Sequence, residues 1–70
     1  MNNENNNTSR LIRRWHVQSM IGLSTSQIYK MMAEGTFPEP VRLTKRSVAW
    51  REAEVINWIA SRSVASRRAA

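Results

Sequence analysis

Two short apolar stripes, one on each side of a glycine turn, restrict the fold of this chain more than any other feature. Val17, Met20 and Ile21 recur at the i, i+3, i+4 spacing of a single helix face. Gly22 follows directly, at the place where helices commonly end on a left-handed residue. The spacing therefore predicts a short amphipathic helix that ends at this glycine.

A second helix start follows the glycine almost at once. The apolar side chain of Leu23 can fill the inside of the turn. The hydroxyl of Ser24 can cap a helix, with Gln27 placed three residues later to complete a capping box. The buried stripe of this helix comprises Ile28, Met31 and Met32. Gly35 ends it, because the Pro38 that follows cannot continue a helix. Two helices joined by a short glycine-containing turn predict a helix-turn-helix.

The next segment predicts a β-hairpin, or wing. Residues 40–43 and 47–50 have the alternation and the β-branched and aromatic content of short strands, around a polar, basic turn at 44–46. The alternative is an irregular loop that packs Val48 and Trp50 onto the core, since an isolated hairpin is marginal without such support. Both interpretations bury Trp50.

A third helix is predicted after the hairpin. Glu52 and Glu54 lie in its first turn, where acidic side chains interact favourably with the helix dipole. Its broad apolar face comprises Val55, Ile56, Trp58 and Ile59. The fold class is therefore mainly α with a small β-hairpin: a winged helix-turn-helix of three helices and a two-stranded wing.

The ends of the chain differ in composition from its centre. Residues 1–9 are dominated by Asn without apolar periodicity, so we expect a disordered tail. Residues 10–62 form the expected winged helix-turn-helix domain. Residues 63–70 lack a second apolar face and carry Arg67 and Arg68, so we expect a basic, flexible tail.

Charge favours a polyanionic partner. The chain has 70 residues and a formal net charge of +6, which creates a field that attracts polyanions, of which nucleic acid is the commonest inside cells. A merely soluble surface is the alternative. So short a chain holds one domain with a small core, which leaves little room for an enzyme cleft.

Several classes of protein are disfavoured by what the sequence lacks. There are no cysteines, which excludes disulfides and thiolate metal sites and suits a reducing cytoplasm. No apolar run approaches the roughly 20 residues that span a bilayer, and the Asn-rich start does not resemble a signal peptide. His16 is the only histidine, so we expect a solvated side chain, not a metal ligand. We expect a cytoplasmic, nucleoid-associated protein with no cofactor, no metal and no membrane contact.

Three segments of the sequence resemble one known family. They read GLSTSQIY at 22–29, EGTFPEPV at 34–41 and SVAWRE at 47–52, followed by Val55 and Trp58. In this order they closely resemble the AlpA family of prophage regulatory proteins, over nearly all of the predicted domain. The resemblance implies an excisionase-like or MerR-like winged-helix domain and a DNA-binding transcription regulator of phage or mobile elements, which in some members promotes excision.

The chain departs from that family at the start of the first helix. Family members commonly have an apolar residue after the arginine that matches Arg13, followed by polar residues, whereas this chain has Arg14, Trp15 and His16. Trp15 either folds back as a staple onto the first helix or stays exposed as a contact surface. Of these two interpretations the packing role is favoured.

Two groups of side chains are expected to meet DNA. The second helix would enter the major groove with the residues opposite its buried stripe, which are Thr25, Ser26, Gln27, Tyr29 and Lys30. Ser26 and Gln27 are the base-reading candidates, although capping competes for Gln27, and Tyr29 and Lys30 would meet phosphate. The wing and its flanks would reach the backbone or the minor groove with Arg42, Lys45, Arg46 and Arg51. A solvated turn is the alternative for the wing residues.

These observations predict a sequence-specific regulator that binds double-stranded DNA. An excisionase that bends DNA is the nearer alternative, and an adaptor that docks on a recombinase or RNA polymerase is the alternative from a different class. Enzymatic activity is not expected, because Glu52 and Glu54 diverge on their helix and no nucleophile has an evident base. Oligomeric state stays open, since no heptad seam is present and monomers, dimers and cooperative arrays are all compatible.

Overall fold

The computed structural model describes residues 10–64. Its elements in chain order are β1 (Leu11–Ile12), α1 (Arg14–Ile21), α2 (Thr25–Glu34), β2 (Val41–Arg42), β3 (Val48–Arg51) and α3 (Glu52–Ala60). Three helices with a small antiparallel wing confirm the predicted fold class and are consistent with a winged helix. The tail expected at 1–9, and all of the tail expected at 63–70 except residues 63 and 64, lie outside the described residues.

Helix α1 ends where the sequence predicts. Gly22 adopts a left-handed conformation with φ +73°, and its N–H donates to the carbonyl of Gln18. Val17 on the inner face is fully buried, and Met20 and Ile21 pack against the same core. The i, i+3, i+4 stripe is therefore the face that α1 buries.

Helix α2 begins with the predicted capping box. The N–H of Gln27 donates to Ser24 Oγ over 3.1 Å, and the N–H of Ser24 donates to Gln27 Oε1 over 3.0 Å. These two bonds satisfy donors that the first turn of a helix otherwise leaves without partners. Gly35 ends the helix at φ +78°. Ile28 is fully buried on the inner face, which fixes α2 against the core.

The sheet has one more strand than the predicted hairpin. Strand β3 lies in the centre, and β2 pairs with it antiparallel through Val41 and Ala49. On the other side β1 pairs with β3 through Ile12 and Trp50. The carbonyl of Arg10 extends this edge by accepting from the N–H of Glu52 over 2.9 Å. With only two residues, β1 is too short to show the alternation of apolar and polar residues that indicates a strand in a sequence. It is a strand because it pairs with β3.

Two indole groups hold the loop between α2 and β2. Trp50 Nε1 donates to the carbonyl of Pro38 over 3.0 Å, and Trp58 Nε1 donates to the carbonyl of Thr36 over 2.7 Å. Phe37, between these two carbonyls, is buried with its ring edge-on to Trp58 at 4.8 Å. Trp50 itself is fully buried, as predicted. The loop therefore joins the helix-turn-helix to the wing at a fixed position.

The apolar face of α3 is narrower than predicted. Val55 is fully buried and Trp58 packs against the core. Ile56 and Ile59, however, are 49% and 39% exposed, so the expectation of a broad buried face is wrong for these two residues. The physical reason is that α3 covers the core along one line, through Val55 and Trp58, and its remaining apolar side chains extend past the edge of that contact.

The aromatic pair at the start of α1 also differs from expectation. Trp15 is 68% exposed, so the packing role favoured by the sequence is wrong. It points away from the core because Val17, two residues later on the helix, occupies the inner face. Its ring stacks on that of His16, with 5.2 Å between centroids and 14° between planes. His16 is half-buried, whereas the sequence predicts a solvated side chain.

Candidate nucleic-acid interface

The outward face of α2 is polar where its inward face is buried. Ser26, Gln27, Tyr29 and Lys30 are exposed, whereas Ile28 between them is fully buried. The capping box holds the first turn of α2 in place, so these side chains project from a fixed backbone. The structure thus brings together four of the residues that the sequence proposes for the major groove.

Thr25, the fifth residue proposed on α2, has a different environment. It is half-buried, and its hydroxyl donates to Gln18 Oε1 over 3.3 Å. Gln18 Nε2 donates in turn to the carbonyl of Leu23 over 3.2 Å. The hydroxyl proton of Thr25 therefore joins α2 to α1 across the turn and is not offered outward.

Arg14 is a candidate that the sequence analysis did not assign to the interface. Its Nε donates to Gln18 Oε1 over 3.2 Å, and the same oxygen accepts from Thr25 at the start of α2. The guanidinium therefore lies beside the first turn of the proposed recognition helix. Only its Nε–H is used in this contact, and the N–H groups of its two Nη atoms can donate to another partner. The i, i+4 spacing of Arg14 and Gln18 is the sequence signal that could have indicated this position.

The wing presents its two tip cations to solvent. Lys45 and Arg46 are exposed in the turn between β2 and β3. The N–H of Arg46 donates to Thr44 Oγ1 over 3.2 Å, and Arg42 Nη1 donates to the carbonyl of Lys45 over 3.0 Å. One donor of Arg42 therefore braces the turn that carries the two tip residues.

Arg51 lies apart from the wing tip. It is exposed at the opposite end of β3 from the turn, three residues and about 10 Å beyond Val48. Its cross-strand partner is Leu11 of β1. Nearby, Arg10 Nε lies 3.7 Å from Glu52 Oε1, and the Arg10 side chain is 58% exposed. The structure thus places Arg51 at the β1 edge of the sheet and does not group it with Lys45 and Arg46.

Residues 10–64 contain no group of three or more His, Cys, Asp or Glu side chains that could hold a metal ion. None of the helices in this part of the chain has the length and apolar character needed to cross a membrane. The polar face of α2, with Arg14 beside its first turn, is the candidate functional surface, and the exposed wing tip is a second group of candidate residues.

Comparison with known proteins bears on the same segment. The family model described as prophage CP4-57 regulatory protein (AlpA) matches residues 10–63, which include every helix and strand of the structure. The chain is also similar to an uncharacterized protein, ORF88, of Enterobacteria phage P4. The two are 39% identical over 59 residues, which cover 84% of this chain and 67% of the phage protein. The chain therefore belongs to the AlpA family of prophage regulatory proteins.

Proposed function

We propose that this protein is a sequence-specific, non-catalytic DNA-binding regulator of phage or mobile-element transcription. The observation that carries the proposal is the exposed polar face of α2, fixed by its capping box and set opposite the buried Ile28. In helix-turn-helix proteins the second helix lies in the major groove with its N-terminal residues nearest the base edges. Here those residues include Ser26 and Gln27.

Cations lie on the proposed reading face and beside its first turn. Lys30 with the hydroxyl of Tyr29 on α2, and Arg14 on α1, would bind phosphate on either side of the groove. Lys45 and Arg46 at the wing tip would bind the neighbouring backbone or minor groove, with Arg42 bracing the turn. Arg51, at the opposite end of β3 from the wing tip, would make a separate contact with the phosphate backbone.

The proposal is tested with a pair of charge variants. Lys30→Gln removes a cation from the proposed interface. Arg62→Gln removes a cation elsewhere, whose Cζ lies 4.6 Å from the centroid of the Trp58 ring of α3. We expect Lys30→Gln to weaken duplex binding at every sequence and to reduce the slope of log K against log salt by about 0.9. Arg62→Gln should leave the slope unchanged. Equal effects of the two substitutions would refute the proposed surface.

An excisionase-type DNA-bending role is a second candidate. Trp15 is largely exposed, is stacked on His16 and lies next to the anchored Arg14. Architectural proteins kink DNA by inserting apolar side chains between base steps. In a permuted-fragment mobility assay, a bend that disappears in Trp15→Ser would support this role, and identical mobility of all fragments would exclude it.

An adaptor role is the candidate from a different class. Ile56 and Ile59 leave an apolar strip exposed on α3, on which a recombinase or RNA polymerase surface would dock. Purified recombinase or polymerase that binds the wild-type protein and not Ile56→Ser in the absence of DNA would support it. Loss of regulation in Lys30→Gln with that binding intact would instead favour the DNA-binding proposal.

A further inference from the structure

The capping box of α2 occupies one end of the Gln27 amide. Gln27 Oε1 accepts from the backbone N–H of Ser24 over 3.0 Å and lies 3.3 Å from Ser24 Oγ. The backbone N–H can only donate, so the atom that faces it is the amide oxygen. The orientation of the side-chain amide is therefore set by the helix cap.

The other end of the same amide is available. No residue in the described part of the chain accepts a hydrogen bond from Gln27 Nε2, and the side chain is exposed in the first turn of α2. This is the part of a recognition helix that lies nearest the base edges. Gln27 thus presents the two N–H donors of Nε2 to the outside. Its acceptor, Oε1, is occupied by the contacts with Ser24.

An unconstrained glutamine reads adenine by donating to N7 and accepting from the N6 amino group. That contact requires Oε1, which the cap of α2 has taken. Guanine presents two neighbouring acceptors, N7 and O6, whereas thymine presents O4 alone and cytosine presents only a donor. We infer that Gln27 reads the major groove as a donor only, and that it selects guanine instead of adenine. This inference rests on the proposed DNA-binding function and adds the base that one position of the operator must carry.

The substitution Gln27→Glu separates capping from reading. Glutamate is the other residue that completes a capping box, so the helix start is retained, while both side-chain donors are lost. A carboxylate accepts from the N4 amino group of cytosine. We therefore expect the selected base to change from guanine to cytosine at one position, with about 5- to 150-fold discrimination in each protein. Asn57→Asp on α3 adds the same charge away from the interface and serves as the control.

The experiment is selection from random duplex DNA with the wild-type protein, Gln27→Glu and Asn57→Asp, together with thermal unfolding of each. A single-position change from guanine to cytosine in Gln27→Glu only, at an unchanged melting temperature, supports the inference. Adenine at the position that Gln27→Glu alters would overturn it, because Gln27 would then leave the cap on DNA. Identical motifs for all three proteins would overturn it as well, while leaving the proposed function intact. Failure of the wild-type protein to enrich any motif would refute sequence-specific binding and the inference together.

Discussion

Trp50 gives the most stringent test of how this small domain is held together. Its side chain is fully buried in the central strand, and its indole N–H donates to the carbonyl of Pro38 over 3.0 Å. Trp50→Phe keeps an aromatic ring in the core but removes the donor. The carbonyl of Pro38, in a half-buried residue, then loses the partner that fixes the loop between α2 and β2.

The expected cost has two parts. Leaving this half-buried acceptor without its donor costs about 1–3 kcal/mol. The smaller ring leaves a cavity that costs roughly another 1 kcal/mol at about 24 cal/mol per Å³. The total of about 2–4 kcal/mol is a large part of the free energy of unfolding expected for a chain of this length, which is about 4–10 kcal/mol. It corresponds to a fall in melting temperature on the order of 10–30 °C.

Trp58→Phe is the matched control. Its indole also donates to a backbone carbonyl, that of Thr36 over 2.7 Å, but Thr36 is exposed and water can replace the donor. We expect a cost of about 0.5–1.5 kcal/mol. Urea and thermal unfolding followed by far-ultraviolet circular dichroism measure both variants. A Trp50→Phe variant that is as stable as Trp58→Phe would refute the reasoning.

Three further predictions concern the turn, the charges and the exposed aromatic. Gly35→Ala should destabilise by about 1–2 kcal/mol in urea unfolding through backbone strain at φ +78°, since nothing lies within 4 Å of the added Cβ; no loss would show that the backbone relaxes. Lys30→Gln with Arg46→Gln should lower the salt slope of duplex binding by about 2 in anisotropy titrations, and an unchanged slope would remove both from the interface. Trp15→Ser should change the free energy of unfolding by less than about 0.5 kcal/mol, because the side chain is 68% exposed; a larger loss in urea unfolding would mean that the ring stabilises the core.

Local chemistry explains why much of the fold could be predicted. Gly22 and Gly35 end their helices, and Ser24 with Gln27 caps α2, through contacts within a few residues of the chain. The alternation around residues 44–46 likewise predicts the hairpin. Signals of this kind depend on neighbours in sequence, so they can be identified before any tertiary contact is known.

The remainder depends on contacts between distant residues. Strand β1 exists because Ile12 pairs with Trp50, and neither residue signals the other in the sequence. In the candidate interface, the hydroxyl of Thr25 is taken by Gln18, which also anchors Arg14 beside α2. These contacts join side chains of two helices across a turn, so the spacing of residues along one helix indicates neither the bonded hydroxyl of Thr25 nor the position of Arg14.

Binding of the purified protein to random-sequence duplex DNA over a salt series, with sequencing of the retained fragments, tests the central claim most directly. The account predicts an enriched motif and an affinity that falls steeply as salt rises, because in the proposed function α2 would read bases while Lys30, Lys45 and Arg46 would neutralise phosphates. Absence of DNA retention at low salt would contradict the account.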